Sequence, residues 1–341
     1  MTKSDTRQLK GLAILMMLWL HLFSNEETVG QLSYWLSYIN GLPLAYSLTR
    51  LASCCVPIYI FLGGYGLAAT YQTAPAHQLH VGRRALALMA NYWLVFLIFI
   101  PIGCLVNPDR YPGDWPTFLL NVTALGYSYN GAWWFLLPYV LLTLTASFFI
   151  ARCQRSSRGE DIFMVAVLAV VNVGVYLLKS DLPLSDTWPL PSVLTMLNYV
   201  SMLLLFILGI LAVKYQGEWR LVSGERLTAN RKLAALCLVV LCLLKMLLGS
   251  SSLLNVPFVL LLIPLLLALK WPRWLHRMLE FLGLHSTNMW LIHYFFYYMW
   301  GDAIYTLRYP VLIFAVLTLA SLGCSLLLRP LFEPLRKRIR G

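Results

Sequence analysis

Charge is what this sequence has least of. Only 12% of its 341 residues are charged, and the 14 acidic residues are outnumbered by 26 basic ones. Soluble domains carry about a quarter of their residues as charge, so a soluble globular class is excluded. Order among the cysteines is also missing. Seven are scattered at 54, 55, 104, 153, 237, 242 and 324, in no metal-binding or redox spacing. Adjacent Cys54 and Cys55 cannot readily close an unstrained disulfide, and read instead as small apolar packing. No internal repeat is visible, which argues against an inverted-repeat transporter. No small-x-small cleavage site follows the apolar run at 9–23, where the chain continues Ser24-Asn25-Glu26. That run is therefore read as a retained first span rather than a signal peptide.

What the sequence has is hydrocarbon. Hydrophobic residues make up 60% of the chain, and the mean hydropathy is +0.71. Apolar runs of about 18 residues or more mark transmembrane helices, and they recur from end to end. The expected fold is all-α: one polytopic integral membrane domain over 1–341, surrounded by membrane lipid. Ten spans are expected, near 9–24, 51–71, 85–106, 131–151, 162–178, 193–213, 233–249, 254–269, 281–301 and 310–328.

The net charge of +12 does not indicate a nucleic-acid partner, because the basic residues sit in short loops between apolar runs. With ten spans, 21 Lys and Arg fall on one side of the membrane and only Arg50, Arg110, Lys179 and Arg308 on the other. Cytoplasmic loops retain Lys and Arg, so both termini are assigned to the cytoplasm and the chain to a cell inner (plasma) membrane. Residues 117–130, "TFLLNVTALGYSYN", are too polar and short for an easy crossing. They read as a re-entrant or interfacial segment on the outer side.

Several polar residues sit in the wrong solvent. In "LKGLAILMMLWLHLF", Lys10 and His21 are eleven positions apart. That is about 16 Å of rise and only about 20° of rotation, so they share a helix face. Lys10 falls at the cytoplasmic interface and His21 beyond the midplane. Ionisable groups at such depth face a cavity or a partner; the alternative for His21 is an interfacial histidine bonded to a neighbouring helix. "HSTNMWLIH" supplies Ser286, Asn288 and a second buried imidazole, His293. Its reading is either an interhelical hydrogen bond or a direct role. Arg50 either snorkels to headgroups or lines a cavity, and Lys245 either pairs with a carboxylate or snorkels. Arg83 and Arg84 are topological determinants or a clamp for phosphates. Trp133 and Trp134 belong to an interfacial aromatic belt or to a wall that stacks on sugar rings. Glycines 63, 64 and 66 allow close helix packing.

Together these motifs resemble the membrane acyltransferase-three family, which includes O-acetyltransferases of bacterial surface polysaccharides. The resemblance rests on Lys10-Gly11-Leu12-Ala13…His21, on Val56-Pro57-Ile58-Tyr59…Gly63-Gly64, on "GRRALALMANYWLVF", on "WWFL" at 133–136 and on "HSTNMWLIH" at 285–293. They occur in the family's order along nearly the whole chain. Lys10 replaces the commoner Arg, Gly63 replaces Ser, and Ala87 stands where a second Arg is usual.

The resemblance implies an enzyme that moves an acyl group, most simply acetyl, from cytosolic acyl-CoA to a hydroxyl of a saccharide or lipid-linked glycan. Acyl-CoA would be a co-substrate, with no bound cofactor and no metal. His21 would act as general base or as nucleophile. Lys10, Arg83 and Arg84 would attract the CoA phosphates. Arg50, Trp133, Trp134, Ser286, Asn288 and His293 would hold the acceptor or orient the reacting groups. A transporter or flippase of a polysaccharide precursor is the competing class, but it leaves the Lys10–His21 alignment without a purpose.

Overall fold

The structure, a computed structural model, describes residues 1–32, 38–39, 42–73, 79–181, 190–216 and 230–340. Arg220 and Arg226, two of the 21 basic residues expected on the cytoplasmic side, lie outside the described residues. Helices dominate. In order they are α1 (Lys3–Phe23), α2 (Glu26–Gly30), α3 (Leu44–Ala52), α4 (Cys55–Thr73), α5 (Val81–Val106) and α6 (Trp115–Val122). A 3₁₀ turn at Gly131–Phe135 leads into α7 (Leu136–Arg155), followed by α8 (Arg158–Asp181) and α9 (Leu190–Lys214). Then come α10 (Arg231–Leu248), α11 (Ser252–Ala268), α12 (Arg273–Tyr305) and α13 (Pro310–Arg340). The described strands are β1 (Tyr38–Ile39) and β2 (Leu42–Pro43), an antiparallel pair with Ile39 opposite Leu42.

Local chemistry sets the helix ends. Thr2 and Asp5 form a reciprocal capping box at the start of α1. Asp114 caps α6 through Thr117, with Pro116 in the first turn where a missing N–H costs nothing. Asn230 caps α10, which stops at Gly249, a glycine with φ of 93° that other residues rarely adopt. Trp300 leaves helical geometry inside α12 (φ −134°, ψ 18°) and marks a kink there.

Six helical stretches among the described residues are long and apolar enough to cross a membrane: Leu44–Thr73, Val81–Val106, Gly131–Arg155, Arg158–Ser180, Leu190–Lys214 and Pro310–Ile339. The other four expected spans fall on α1, α10, α11 and α12. α11 is apolar but has 17 residues, and α10 contains Arg231, Lys232 and Lys245. α1 and α12 dilute their apolar runs with the polar residues singled out above. The segment 117–130 overlaps α6, whose eight residues rise about 12 Å, under half of a hydrocarbon core of about 30 Å. α6 cannot cross.

By its internal contacts the chain divides into two compact units. The first comprises Met1–Tyr59, Tyr215–His293 and Trp300–Leu322; the second comprises Ile60–Lys214, Tyr294–Met299 and Gly323–Gly341. In the first, α3 packs on α1 and on α10, and α10 packs on α11. In the second, α9 packs on α7 and α8, and α7 on α5. Large apolar side chains on α8, such as Phe163 and Val170, are exposed, as suits a lipid-facing helix.

Backbone contact through glycine recurs in both units. A Cβ on Gly64 would lie 2.0 Å from the Phe206 carbonyl oxygen, and one on Gly209 would lie 2.3 Å from that of Phe61. α4 and α9 thus touch at main-chain distance. Gly63 faces the Tyr139 side chain, and Gly66 has open space, so of the three expected contacts Gly64 makes the close one.

Candidate active site

In the first unit, α12 lies against α1 along much of its length. Leu279 meets Gly11, where a Cβ would stand 2.0 Å from the Leu279 carbonyl oxygen. Gly283 meets Arg7 in the same way, at 1.9 Å from the Arg7 carbonyl oxygen. Flanking these points, Arg7 pairs with Glu280 at 3.2 Å, and the Gln8 amide donates to His276 Nε2 at 2.7 Å. At the other end of α1 the Tyr305 hydroxyl donates to the Leu22 carbonyl.

This packing brings His21 and His293 together. Their ring centroids are 5.0 Å apart, with planes inclined by 57°. His293 has no exposed surface, and its Nδ1 faces the carbonyls of Met289 (3.1 Å) and Trp290 (2.9 Å). A carbonyl only accepts, so Nδ1 carries the hydrogen and the neutral ring has its lone pair on Nε2. The backbone of α12 thereby fixes the tautomer. His21 is half-buried, on the helix face it shares with half-buried Lys10. The Lys10 carbonyl accepts from the Tyr59 hydroxyl at 3.1 Å, which ties the start of α4 to α1.

Other expected site residues of this unit have local tasks. The single hydroxyl proton of Ser286 is donated to the Gly283 carbonyl at 3.0 Å, which removes it from the possible oxyanion donors. Asn288 is half-buried, and its amide is the remaining donor of that trio. Arg50 belongs to α3 rather than opening α4, and its Nη1 donates to the Met246 carbonyl at 2.9 Å. Lys245 is 2% exposed and curls onto the Gly249 carbonyl at 3.0 Å. Among the described residues no carboxylate pairs with Lys245, and a side chain so buried does not snorkel to headgroups. Both cations cover the carbonyls that end α10, where a membrane supplies no water.

A cavity of about 280 Å³ opens beside α1, lined by Gln8, Leu12, Lys270, Trp271 and His276 among others. Gln8 and Leu12 lie about 140–180° around α1 from Lys10 and His21, so this cavity is on the opposite face. It is not the site of the two histidines.

In the second unit, Arg84 Nε donates to the Leu79 carbonyl at 3.0 Å, beside the left-handed His80 that starts α5, while Arg83 is exposed. Trp133 is 3% exposed and packed edge-on against Tyr92 (4.6 Å) and Phe295 (5.4 Å). It is a core residue rather than part of an interfacial belt; Trp134 is half-buried beside Phe135.

This aromatic core extends to residues that sequence reading did not single out. Burial pushes the Tyr111 phenol up to about 12, so it remains a donor, to the Tyr129 carbonyl at 2.8 Å. Arg110 lies over the Tyr298 ring, with Cζ 3.7 Å from the centroid. The only sequence signal was the tyrosine-rich run "YFFYYMW" after His293.

Two imidazoles in ring contact, in an apolar setting, are suited to taking up and releasing a proton. Comparison with curated proteins finds no match, and comparison with solved structures finds none either. The family model Acyl_transf_3, an acyltransferase domain, matches residues 7–329. That span takes in α1 with its histidine, both units and most of α13, and the chain therefore belongs to this family of membrane acyltransferases.

Proposed function

We propose that the protein is an acetyl-CoA-dependent O-acetyltransferase of the inner (plasma) membrane that acts on a hydroxyl of a surface polysaccharide or glycan precursor. The observation that carries this reading is the His21–His293 pair, centred 5.0 Å apart on the face of α1 that also bears Lys10. Lys10 stands eleven positions nearer the end assigned to the cytoplasm, about 16 Å along the axis. A pantetheine arm is long enough to bridge that distance, with its phosphates at the cationic end. Arg83 and Arg84, at the same side by charge, add to the attraction for CoA.

In the proposed reaction, His21 takes the proton of the acceptor hydroxyl as its oxygen attacks the thioester carbon. The C–O bond forms, the C–S bond breaks, and the imidazolium returns the proton to the departing CoA thiolate. The charge sheet balances without any other reactant. His293, held by α12 carbonyls, faces His21 with a fixed tautomer and steadies it as it charges. The Asn288 amide is the candidate donor to the oxyanion.

The test is consumption of acetyl-CoA thioester by the purified protein in detergent or nanodiscs, together with equilibrium binding of acetyl-CoA. Saturable binding and slow thioester hydrolysis, both reduced by competing CoA, are expected. Absence of both would remove the acetyl-CoA reading.

A further inference from the structure

Arginine and lysine are scarce on the side of this protein assigned to the outside, so each one retained there asks for a reason. Arg50 covers the end of α10, and the Lys179 ammonium donates to Asn198 Oδ1 at 2.7 Å. Arg308 is exposed at a left-handed turn. Arg110 differs from all three.

The Arg110 guanidinium lies over the Tyr298 ring, with the Tyr111 ring centroid 5.9 Å away. Nη2 donates to the Ser128 carbonyl at 2.5 Å, which anchors the loop between α5 and α6. Nε is buried with no acceptor, and no carboxylate pairs with the group among the described residues. A guanidinium keeps its charge at any ordinary pH, so it cannot relieve burial by losing a proton. A half-buried cation with an aromatic face beneath it and no counter-ion is a site prepared for an anion.

The surroundings say what kind. Tyr294 and Tyr297 flank Tyr298, with ring centroids 4.7 Å and 5.6 Å from it. All three are half-buried, so part of each side chain reaches the surface. Gly131 leaves them room, since a Cβ there would stand 3.2 Å from the Tyr298 hydroxyl. Tyrosine faces with hydroxyls recognise pyranose rings, and a guanidinium fork recognises carboxylate or phosphate oxygens.

We propose that Arg110 and the tyrosines of 294–298 form the acceptor-recognition site, and that the acceptor is an acidic glycan whose carboxylate or phosphate binds Arg110. This rests on the acyltransferase reading. A phospholipid headgroup carries the same oxyanion, and the experiment separates the two sources.

Surface glycans are compared by mass spectrometry between cells with the protein, without it, and with Arg110→Gln, Arg110→Lys or Tyr298→Leu, at matched levels of folded protein. The expected acyl mass lost with the protein sits on a glycan unit bearing a carboxylate or phosphate. Arg110→Gln lowers that acylation about tenfold or more, and Arg110→Lys less, because charge is kept while the fork is lost. In nanodiscs the Arg110→Gln defect is independent of added phosphatidylglycerol. An acylated glycan that is neutral overturns the proposal without touching the enzyme reading, and needs no variant to fold. So does a defect that appears only with phosphatidylglycerol, which assigns Arg110 to lipid. Loss of no acyl group at all overturns the acyltransfer to glycans itself.

Discussion

The His21 ring faces the His293 ring at 5.0 Å between centroids, and His293 is held from behind by two carbonyls of its own helix. One imidazole is thus only partly buried and the other fully enclosed and oriented. If the two act as a unit, their removal is not additive. His21→Ala is expected to lower kcat about 10²–10⁴-fold, the range of a lost general base. His293→Phe keeps the packing volume and lowers kcat less. The double variant is expected to be no slower than His21→Ala alone. Single-turnover acetyl transfer measures all three, and fully multiplicative losses would show that the rings work independently.

Lys10 is expected to act on the donor rather than on chemistry. Lys10→Ala raises KM for acetyl-CoA about tenfold, the size of one charge-assisted hydrogen bond, with kcat little changed. Lys10→Arg retains affinity, and the wild-type KM rises with salt. Titrating acetyl-CoA at two ionic strengths checks this, and a kcat defect with unchanged KM would place Lys10 elsewhere in the cycle.

The α1–α12 contact depends on two absent side chains. Gly11→Ala and Gly283→Ala each put a methyl within about 2 Å of a carbonyl oxygen, closer than any real Cβ contact. Each is expected to destabilise by at least about 1–3 kcal/mol, since backbone must move. Melting of the purified variants reads the effect, whereas Gly66→Ala, with nothing within 4 Å, serves as the neutral control.

Asp161 is 3% exposed and pairs with the Lys214 ammonium at 2.5 Å, while also accepting from the Ser156 hydroxyl. Lys214→Met leaves a buried carboxylate without its cation and is expected to cost about 2–4 kcal/mol, below the fully buried range because Lys214 is 21% exposed. Adding Asp161→Leu is expected to recover part of that loss. A double variant worse than Lys214→Met would mean that the Ser156 contact dominates.

Hydrogen bonds from Thr117 hold the Asp114 carboxyl below its usual range. A depressed carboxylate stabilises the folded state above its unfolded pKa of about 3.9, and that contribution fades as pH falls through the lower folded value. Asp114→Asn keeps a side-chain cap without the titration. The difference in melting temperature between wild type and Asp114→Asn is therefore expected to shrink below about pH 4. A gap that stays constant would show that the charge contributes nothing.

The helical, membrane-embedded class was fixed by composition, because hydrocarbon imposes internally bonded backbone and long apolar runs. The Lys10–His21 alignment was likewise legible, since both residues lie on one helix and 3.6 residues per turn relates them without reference to anything else. Reading stopped where partners come from distant sequence. Only packing placed His293 against His21, turned the Ser286 proton back to Gly283, and put Arg50 and Lys245 on the carbonyls ending α10. Trp133 looked interfacial by residue type, yet it fills a core, because a tryptophan's preference for an interface yields to a shape-matched aromatic neighbourhood. Arg110 was one loop charge among four until Tyr298, almost two hundred positions later, was found beneath it. Spacing along a chain determines which residues share a helix face. What each face meets is decided by tertiary contacts, through sterics and unpaired charge that no local pattern encodes.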